Sequence, residues 1–138
     1  MIALRPVPAP VPDETWRLVQ GWIARALAEC AAIETLADVK GSIQDRRRQL
    51  WLVDCHGMTT GVVVTETYAT ARGETCGVPY AAGHAMAIVI DAVLETIEAW
   101  ARSEGCTRVE AIGRPGWTRT LKSHGWEPRL VHMAKEIG

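Results

Sequence analysis

Apolar residues recur along this chain with two spacings, and the alternation between them divides it into helices and strands. Trp16, Val19, Trp22, Ile23, Ala26, Leu27 and Cys30 follow one another at mostly three- and four-residue intervals, which places them on one face of an α-helix, and Asp13 stands where a short polar side chain caps the first turn. The same period returns at Leu36, Val39 and Ile43, preceded by Thr35 with Asp38 three positions on. That pair is a capping-box signature, and the second helix is predicted to end near Gln49. Residues 50–54 (LWLVD) and 61–69 (GVVVTETYA) change to β-type runs, the second alternating Val62 and Val64 with Thr65 and Thr67. Joined by a polar turn containing His56 and Gly57, they predict an antiparallel hairpin. Residues 71–74 make another polar turn, so residues 75–82 predict a third strand beside the second, with Pro79 inside it.

From His84 to Ser103 the pattern is helical again. Met86, Ile90, Val93, Ile97 and Trp100 face inward, while Asp91, Glu95, Glu98 and Arg102 face outward. Gly105 supplies a left-handed stop. Residues 107–112 (TRVEAI) are β-rich, so strand, long helix and strand predict a right-handed parallel crossover. A last short helix follows Gly113, with Pro115 early, Trp117 and Leu121 on one face and Gly125 at its end; residues 126–135 predict a closing strand. The first twelve residues, MIALRPVPAPVP, carry four prolines and predict no regular element.

Composition narrows what such a chain does. At 138 residues, with 48% hydrophobic and 22% charged residues, it suits one folded domain spanning residues 1–138, with no internal repeat. There is no Phe and only two Tyr, so six Trp supply most of the aromatic core. A net charge of −1 and a pI near 6.4 give no field to gather phosphates or an anionic membrane, which disfavours nucleic-acid and membrane partners. The one basic cluster, Arg46, Arg47 and Arg48, falls where the second helix should end, and cations there complement its dipole. The four cysteines lack C-x-x-C or Cys/His spacing; they read as reduced thiols, and no metal site is expected. Neither a signal peptide nor an apolar run long enough for a bilayer is present, so cytoplasmic location is the default expectation.

The order of elements, with the segment Tyr80-Ala81-Ala82-Gly83-His84-Ala85 at the turn into the long helix, resembles the GNAT superfamily of N-acetyltransferases. Members carry [R/Q]-x-x-G-x-[G/A] there. Leu121-Lys122-Ser123-His124-Gly125-Trp126 is similar to the family's short helix ending in a Gly-Phe turn, with Trp in place of Phe. The resemblance covers most of the chain. It implies an α/β (α+β) fold: a GNAT-like mixed sheet with an antiparallel meander, one parallel βαβ crossover and helices on both faces. It further implies acetyl-CoA in a split between two parallel strands. Small residues at such a turn let the backbone approach a pyrophosphate while free N–H groups at the helix N-terminus point at its oxygens. Ala82, Gly83, His84, Ala85 and Met86 are therefore the candidate coenzyme-binding residues, with Arg114 as a further phosphate contact. His84 reads alternatively as a helix cap, the commoner role, and Gly83 equally as ordinary turn chemistry.

Acetyl transfer to an amine needs a group to take the ammonium proton. Glu66, mid-strand between Thr65 and Thr67, is the candidate base, and it reads alternatively as a solvated residue of the sheet face. Tyr80 is the second candidate catalytic residue and stands at the Arg/Gln position of the motif. Two positions depart from the family. Leu121 replaces the tyrosine that protonates the departing thiolate, and Gly113-Arg114-Pro115 replaces an asparagine. The expected activity is acyl-CoA-dependent N-acyltransfer by direct attack of an amine on the thioester. The alternatives are a catalytically silent GNAT-like scaffold with a protein partner, similar to short chains carried in phage genomes with a virion or host-interaction role, and a CoA-binding sensor without turnover. The predicted last strand has an exposed edge, which would permit a homo-oligomer.

Overall fold

The computed structural model describes residues 1–29, 33–111, 116–129 and 133–138. The chain opens with a strand, β1 (Ile2–Val7), although the prolines predicted none. β1 is the edge of the sheet and pairs antiparallel with the strand after the second helix, Ile2 against Cys55 through Val7 against Leu50. Only one side of an edge strand must donate to the ladder, so Pro6 is tolerated. Ile2 and Leu4 pack on one face of the sheet and Val7 on the other, and Arg5 reaches Asp54 at 2.8 Å.

Helix α1 (Asp13–Glu29) buries Trp16, Val19, Ile23, Ala26 and Leu27, as its spacing predicts. Helix α2 (Leu36–Gln44) starts on the predicted capping box: Thr35 Oγ1 accepts from the Asp38 amide at 3.1 Å, and the Asp38 carboxylate accepts from the Thr35 amide at 2.9 Å. It ends five residues before Gln49. Arg46 turns into a left-handed conformation (φ 62°) and the Arg47 and Arg48 amides fold back onto the Ser42 carbonyl, which closes the helix.

β2 (Gln49–Cys55), β3 (Met58–Thr70) and β4 (Gly73–Gly83) form the antiparallel meander, β4 beginning two residues before Thr75. α3 (Met86–Ser103) crosses to β5 (Cys106–Ala111), which lies parallel to β4, and α4 (Gly116–Lys122) follows. The five strands stand in the order β1-β2-β3-β4-β5. Of the predicted closing strand, residues 126–129 and 133–135 have no strand structure, and the remainder falls outside the described residues. The β5 edge therefore carries no sixth strand among the described residues.

The sheet separates two apolar layers. Leu50, Leu52, Val62, Val64, Tyr80 and Ala82 pack against α1 and α2. Trp51, Val53, Val63 and Cys76 pack against α3 through Met86, Val89, Val93 and Ile97. Alternation along β2 and β3 accounts for both layers. Trp51 lies edge-on to Trp100 at 5.3 Å and donates to Thr65 Oγ1 at 2.9 Å, so the deepest indole has its one donor satisfied.

Candidate functional site

β4 changes character midway. Glu66 stands opposite Gly77 and Val64 opposite Tyr80, so two residues of β4, Val78 and Pro79, face the single residue Thr65. This is a β-bulge, and it reverses the alternation of side chains. Cys76, Val78 and Ala81 face α3, whereas Tyr80 and Ala82 face α1 and α2. Proline suits the bulge because the inserted residue needs no ladder hydrogen bond.

The described parallel pairing with β5 runs as far as the bulge. Residues 74–78 of β4 are matched by Cys106 through Ala111 of β5. Residues 80–83 are matched to β3, and residues 112–115, which follow β5 in the chain, lie outside the described residues.

At the end of β4 Gly83 stands against Gly61. A Cβ on Gly83 would lie 2.4 Å from the Gly61 Cα and 2.5 Å from the Thr60 carbonyl oxygen. Glycine is thus demanded by the close approach of two strands, a purely internal reason that would hold without any ligand. The His84 amide donates to the Thr60 oxygen at 2.7 Å. Ala85 occupies the left-handed region (φ 54°, ψ 40°) and precedes the helix as its N-cap, with no side chain capping it. His84 therefore makes no cap, contrary to that reading of the sequence. A left-handed residue followed by a helical one turns successive N–H groups toward one side, a geometry suited to an anion. His84, Ala85, Ala87 and Ile88 are exposed, and no acidic residue lies in the first turn of α3. Met86 is different, since its side chain is buried in the layer under α3. Arg25 reaches from α1 to the Gly83 carbonyl oxygen, its Nη2 donating at 3.0 Å. Arg114 lies outside the described residues.

The two candidate catalytic residues meet in one polar cluster on the α1/α2 face. Tyr80 is buried and its hydroxyl donates to Glu34, which lies between α1 and α2. Arg48 Nη1 donates to the other Glu34 oxygen at 2.9 Å and to Ser42 Oγ at 3.4 Å, while Arg48 Nε donates to Glu66 at 3.2 Å. The guanidinium lies 5.8 Å from the centre of the Tyr80 ring. The Arg48 side chain is only 13% exposed, against 30% for Glu34 and 32% for Glu66.

Desolvation acts to raise the Glu34 carboxyl, but hydrogen bonds from Arg48 and Tyr80 outweigh it and hold the group below its ordinary range. Desolvation likewise acts to lower Arg48, and its bonds to Glu34 and Glu66 outweigh that and raise it. Glu66 is thus neither a bare base in an apolar sheet nor a freely solvated residue; its carboxylate is engaged by a guanidinium. Arg48 is a tie between four elements rather than a complement to the helix dipole.

Further along the same face Tyr68 donates to Glu110 at 2.5 Å across Gly77, and burial with this bond pushes the phenol up to about 12. Sequence reasoning did not pick out Glu34, Arg25, Tyr68 or Glu110. The bonds of Glu34 to Tyr80, of Arg25 to Gly83 and of Tyr68 to Glu110 span 42 to 58 residues, and no local spacing announces such contacts.

A groove of about 330 Å³ lies elsewhere, lined by Asp91, Leu94, Glu95, Glu98 and Arg102 of α3 and by His124. It includes no residue of the β4–α3 turn. Its exposed, charged lining has none of the backbone donors that make the turn suited to an anion, so the turn remains the better coenzyme candidate.

No family profile matches the sequence, and no curated protein matches it. Solved structures do. A predicted acetyltransferase with acetyl-CoA from Clostridium acetobutylicum superposes with a TM-score of 0.70 at 9% identity, covering 99% of this chain and 96% of that one. An aminoglycoside N-acetyltransferase in complex with CoA gives 0.66 at 13% identity, covering 99% and 96%. Glucosamine-6-phosphate N-acetyltransferase from Arabidopsis thaliana gives 0.66 at 11% identity, covering 100% and 99%. The chain has a GNAT-like fold; at these identities the likeness concerns architecture.

Proposed function

We propose that this chain is an acyl-CoA-dependent N-acyltransferase that acetylates an amine by direct attack on the thioester. The observation that carries the reading is the turn at the end of β4: Ala85 is left-handed and stands uncapped at the head of α3, with His84, Ala85, Ala87 and Ile88 exposed around it. In this reading the diphosphate lies at the turn of residues 83–86, held by backbone amides other than that of His84, which is spent on Thr60, with Arg25 adding charge that Tyr80 does not supply at its motif position. Arg114 is the further phosphate contact. The acyl-transferase neighbours support the same assignment at the level of fold.

The proton chemistry falls to Glu66 and Tyr80, both on the α1/α2 face. The attacking nitrogen forms the C–N bond, the C–S bond breaks, and the electron pair leaves on the CoA thiolate. Glu66, shared with Arg48, takes the ammonium proton directly or through water. Tyr80 positions the acceptor-side carboxylate Glu34 through their hydrogen bond. Leu121 has no proton to give, so in this reading the thiolate is protonated from solvent.

One observation favours a second reading, a CoA sensor or a silent scaffold. The family acid is absent at Leu121, and both carboxylates nearest Tyr80 are committed to Arg48. The virion role draws no support from the neighbours.

A thermal titration with acetyl-CoA separates these readings. At one hundred times its dissociation constant a ligand stabilises a fold by about 2.7 kcal/mol, which raises the melting temperature of a domain this size by several degrees. An enzyme shows the shift together with thiol release in the presence of an amine. A sensor shows the shift alone, and a scaffold shows neither. Glu66→Gln is expected to abolish thiol release while keeping the shift; unchanged turnover removes Glu66 as the base.

A further inference from the structure

α4 is only seven residues long, too short to persist through its own hydrogen bonds, so its place depends on what it touches. Near its start Trp117 packs partly buried against the layer under α3. At its end the chain turns out through Gly125 (φ 85°), with the Trp126 amide donating to the Leu121 oxygen at 3.2 Å. His124 sits in that turn and bridges to α3.

The contacts of its ring fix where the protons are. Nε2 meets a carboxylate oxygen of Asp91, which only accepts. Nδ1 lies 3.0 Å from the Thr120 carbonyl oxygen and 3.1 Å from Ser123 Oγ. The Ser123 hydroxyl spends its own proton on that same Thr120 oxygen, at 2.7 Å, so it offers His124 a lone pair. Both ring nitrogens therefore face acceptors. A neutral imidazole carries one N–H and would set a lone pair against an acceptor on its other side; the imidazolium satisfies both.

We propose that His124 is a proton-operated latch, closing the C-terminal end of α4 onto α3 as an imidazolium and releasing it when it loses a proton. The charged surroundings agree. Asp91 and Glu98 of α3 both favour the cation, Asp91 first through its hydrogen bond, and the group is raised from its ordinary value. Glu95 and Arg102 line the same groove, one of each sign. With a raised folded value, the latch contributes fully below the unfolded histidine value of about 6.5 and is lost as pH rises through the folded one. Released, the segment after Lys122 keeps the Trp126 amide bond to Leu121 and, through α4, the packing of Trp117.

The inference stands apart from the acyltransferase reading and is tested without coenzyme. The His124 ring is titrated by NMR, assigned with His124→Gln, and amide exchange over residues 116–125 is followed from about pH 5.5 to about pH 8.5, corrected for intrinsic rates. His124 is expected to titrate above about 6.5, and exchange is expected to speed up through the same pH range. Asp91→Asn should return the ring to its ordinary range and leave exchange fast and insensitive to pH. Glu95→Gln, in the same groove, should keep the pH-dependent step. The Asp91 side chain is 84% exposed, so its substitution leaves the core packing intact. A wild-type ring titrating at or below about 6.5, or α4 exchange that ignores both pH and Asp91→Asn, overturns the latch.

Discussion

The two halves of β4 are built from similar residues and do different things. Residues 74–78 lie between β3 and β5, paired on both sides, and hold the buried Cys76, whose thiol is pushed up to about 12, chiefly by desolvation. Residues 80–83 are matched to β3, and they follow a bulge that turns Tyr80 away from α3. The first half is sheet interior; the second runs into an exposed turn with no side-chain cap, a place where something else can bind. The difference comes from the one extra residue inserted at the bulge and from the left-handed turn after Gly83.

Two glycines, one in each half, sharpen the comparison. Gly83→Ala sets a Cβ against backbone atoms at 2.4 and 2.5 Å, which cannot move without separating β3 from β4, so a loss of about 3 kcal/mol in chemical denaturation is expected. It follows that failure of a Gly83 variant to bind CoA would reveal nothing about the coenzyme. Equal stability of Gly83→Ala and wild type would contradict the close crossing.

Arg48→Ala comes next. It leaves Glu34 and Glu66 without their shared cation and Tyr80 without the guanidinium beside it. Unpairing buried ions costs several kcal/mol, but both carboxylates are about a third exposed, so about 2 kcal/mol is expected. Hydrogen exchange should localise the loosening to residues 79–83 rather than 74–78. Uniform loosening along β4 would mean that the cluster does not serve the segment after the bulge.

In the fully paired half, Gly77→Ala meets side chains instead of backbone, Tyr68 Cε1 at 2.9 Å and Glu66 Cγ at 3.2 Å. These can rotate, so the expected loss is about 1 kcal/mol, clearly below that at Gly83.

The smallest effect is acid sensitivity through Glu34. Its carboxyl lies below the unfolded value of 4.5, so its contribution is complete above that value and is lost as pH falls through the lower folded one. Urea titrations of wild type and Glu34→Gln should differ above about pH 5 and converge in strong acid. Parallel curves at every pH would show that the carboxylate contributes nothing to holding Tyr80.

Much of the fold was legible in short stretches. The Thr35 and Asp38 capping box, the stripe of α1 and the amphipathic α3 are local patterns, and each lies where its spacing put it. β1 was not legible, because its prolines are acceptable only once Leu50 through Cys55 stand beside it as the next strand. The candidate site was half legible. Gly83 marked the turn correctly, yet its necessity comes from Gly61, and Glu66 was readable as a strand carboxylate but not as a partner of Arg48.

By itself the sequence determined the helices, the meander and the crossover, because these depend on periodicities and caps within a few residues of one another. Tertiary structure decided the pairing of β1 with β2, the bulge that sends Tyr80 to Glu34, and the union of Arg48 with two carboxylates. Those outcomes depend on which backbone edges and charges are brought together from distant parts of the chain, and burial decides them only after the layers have assembled.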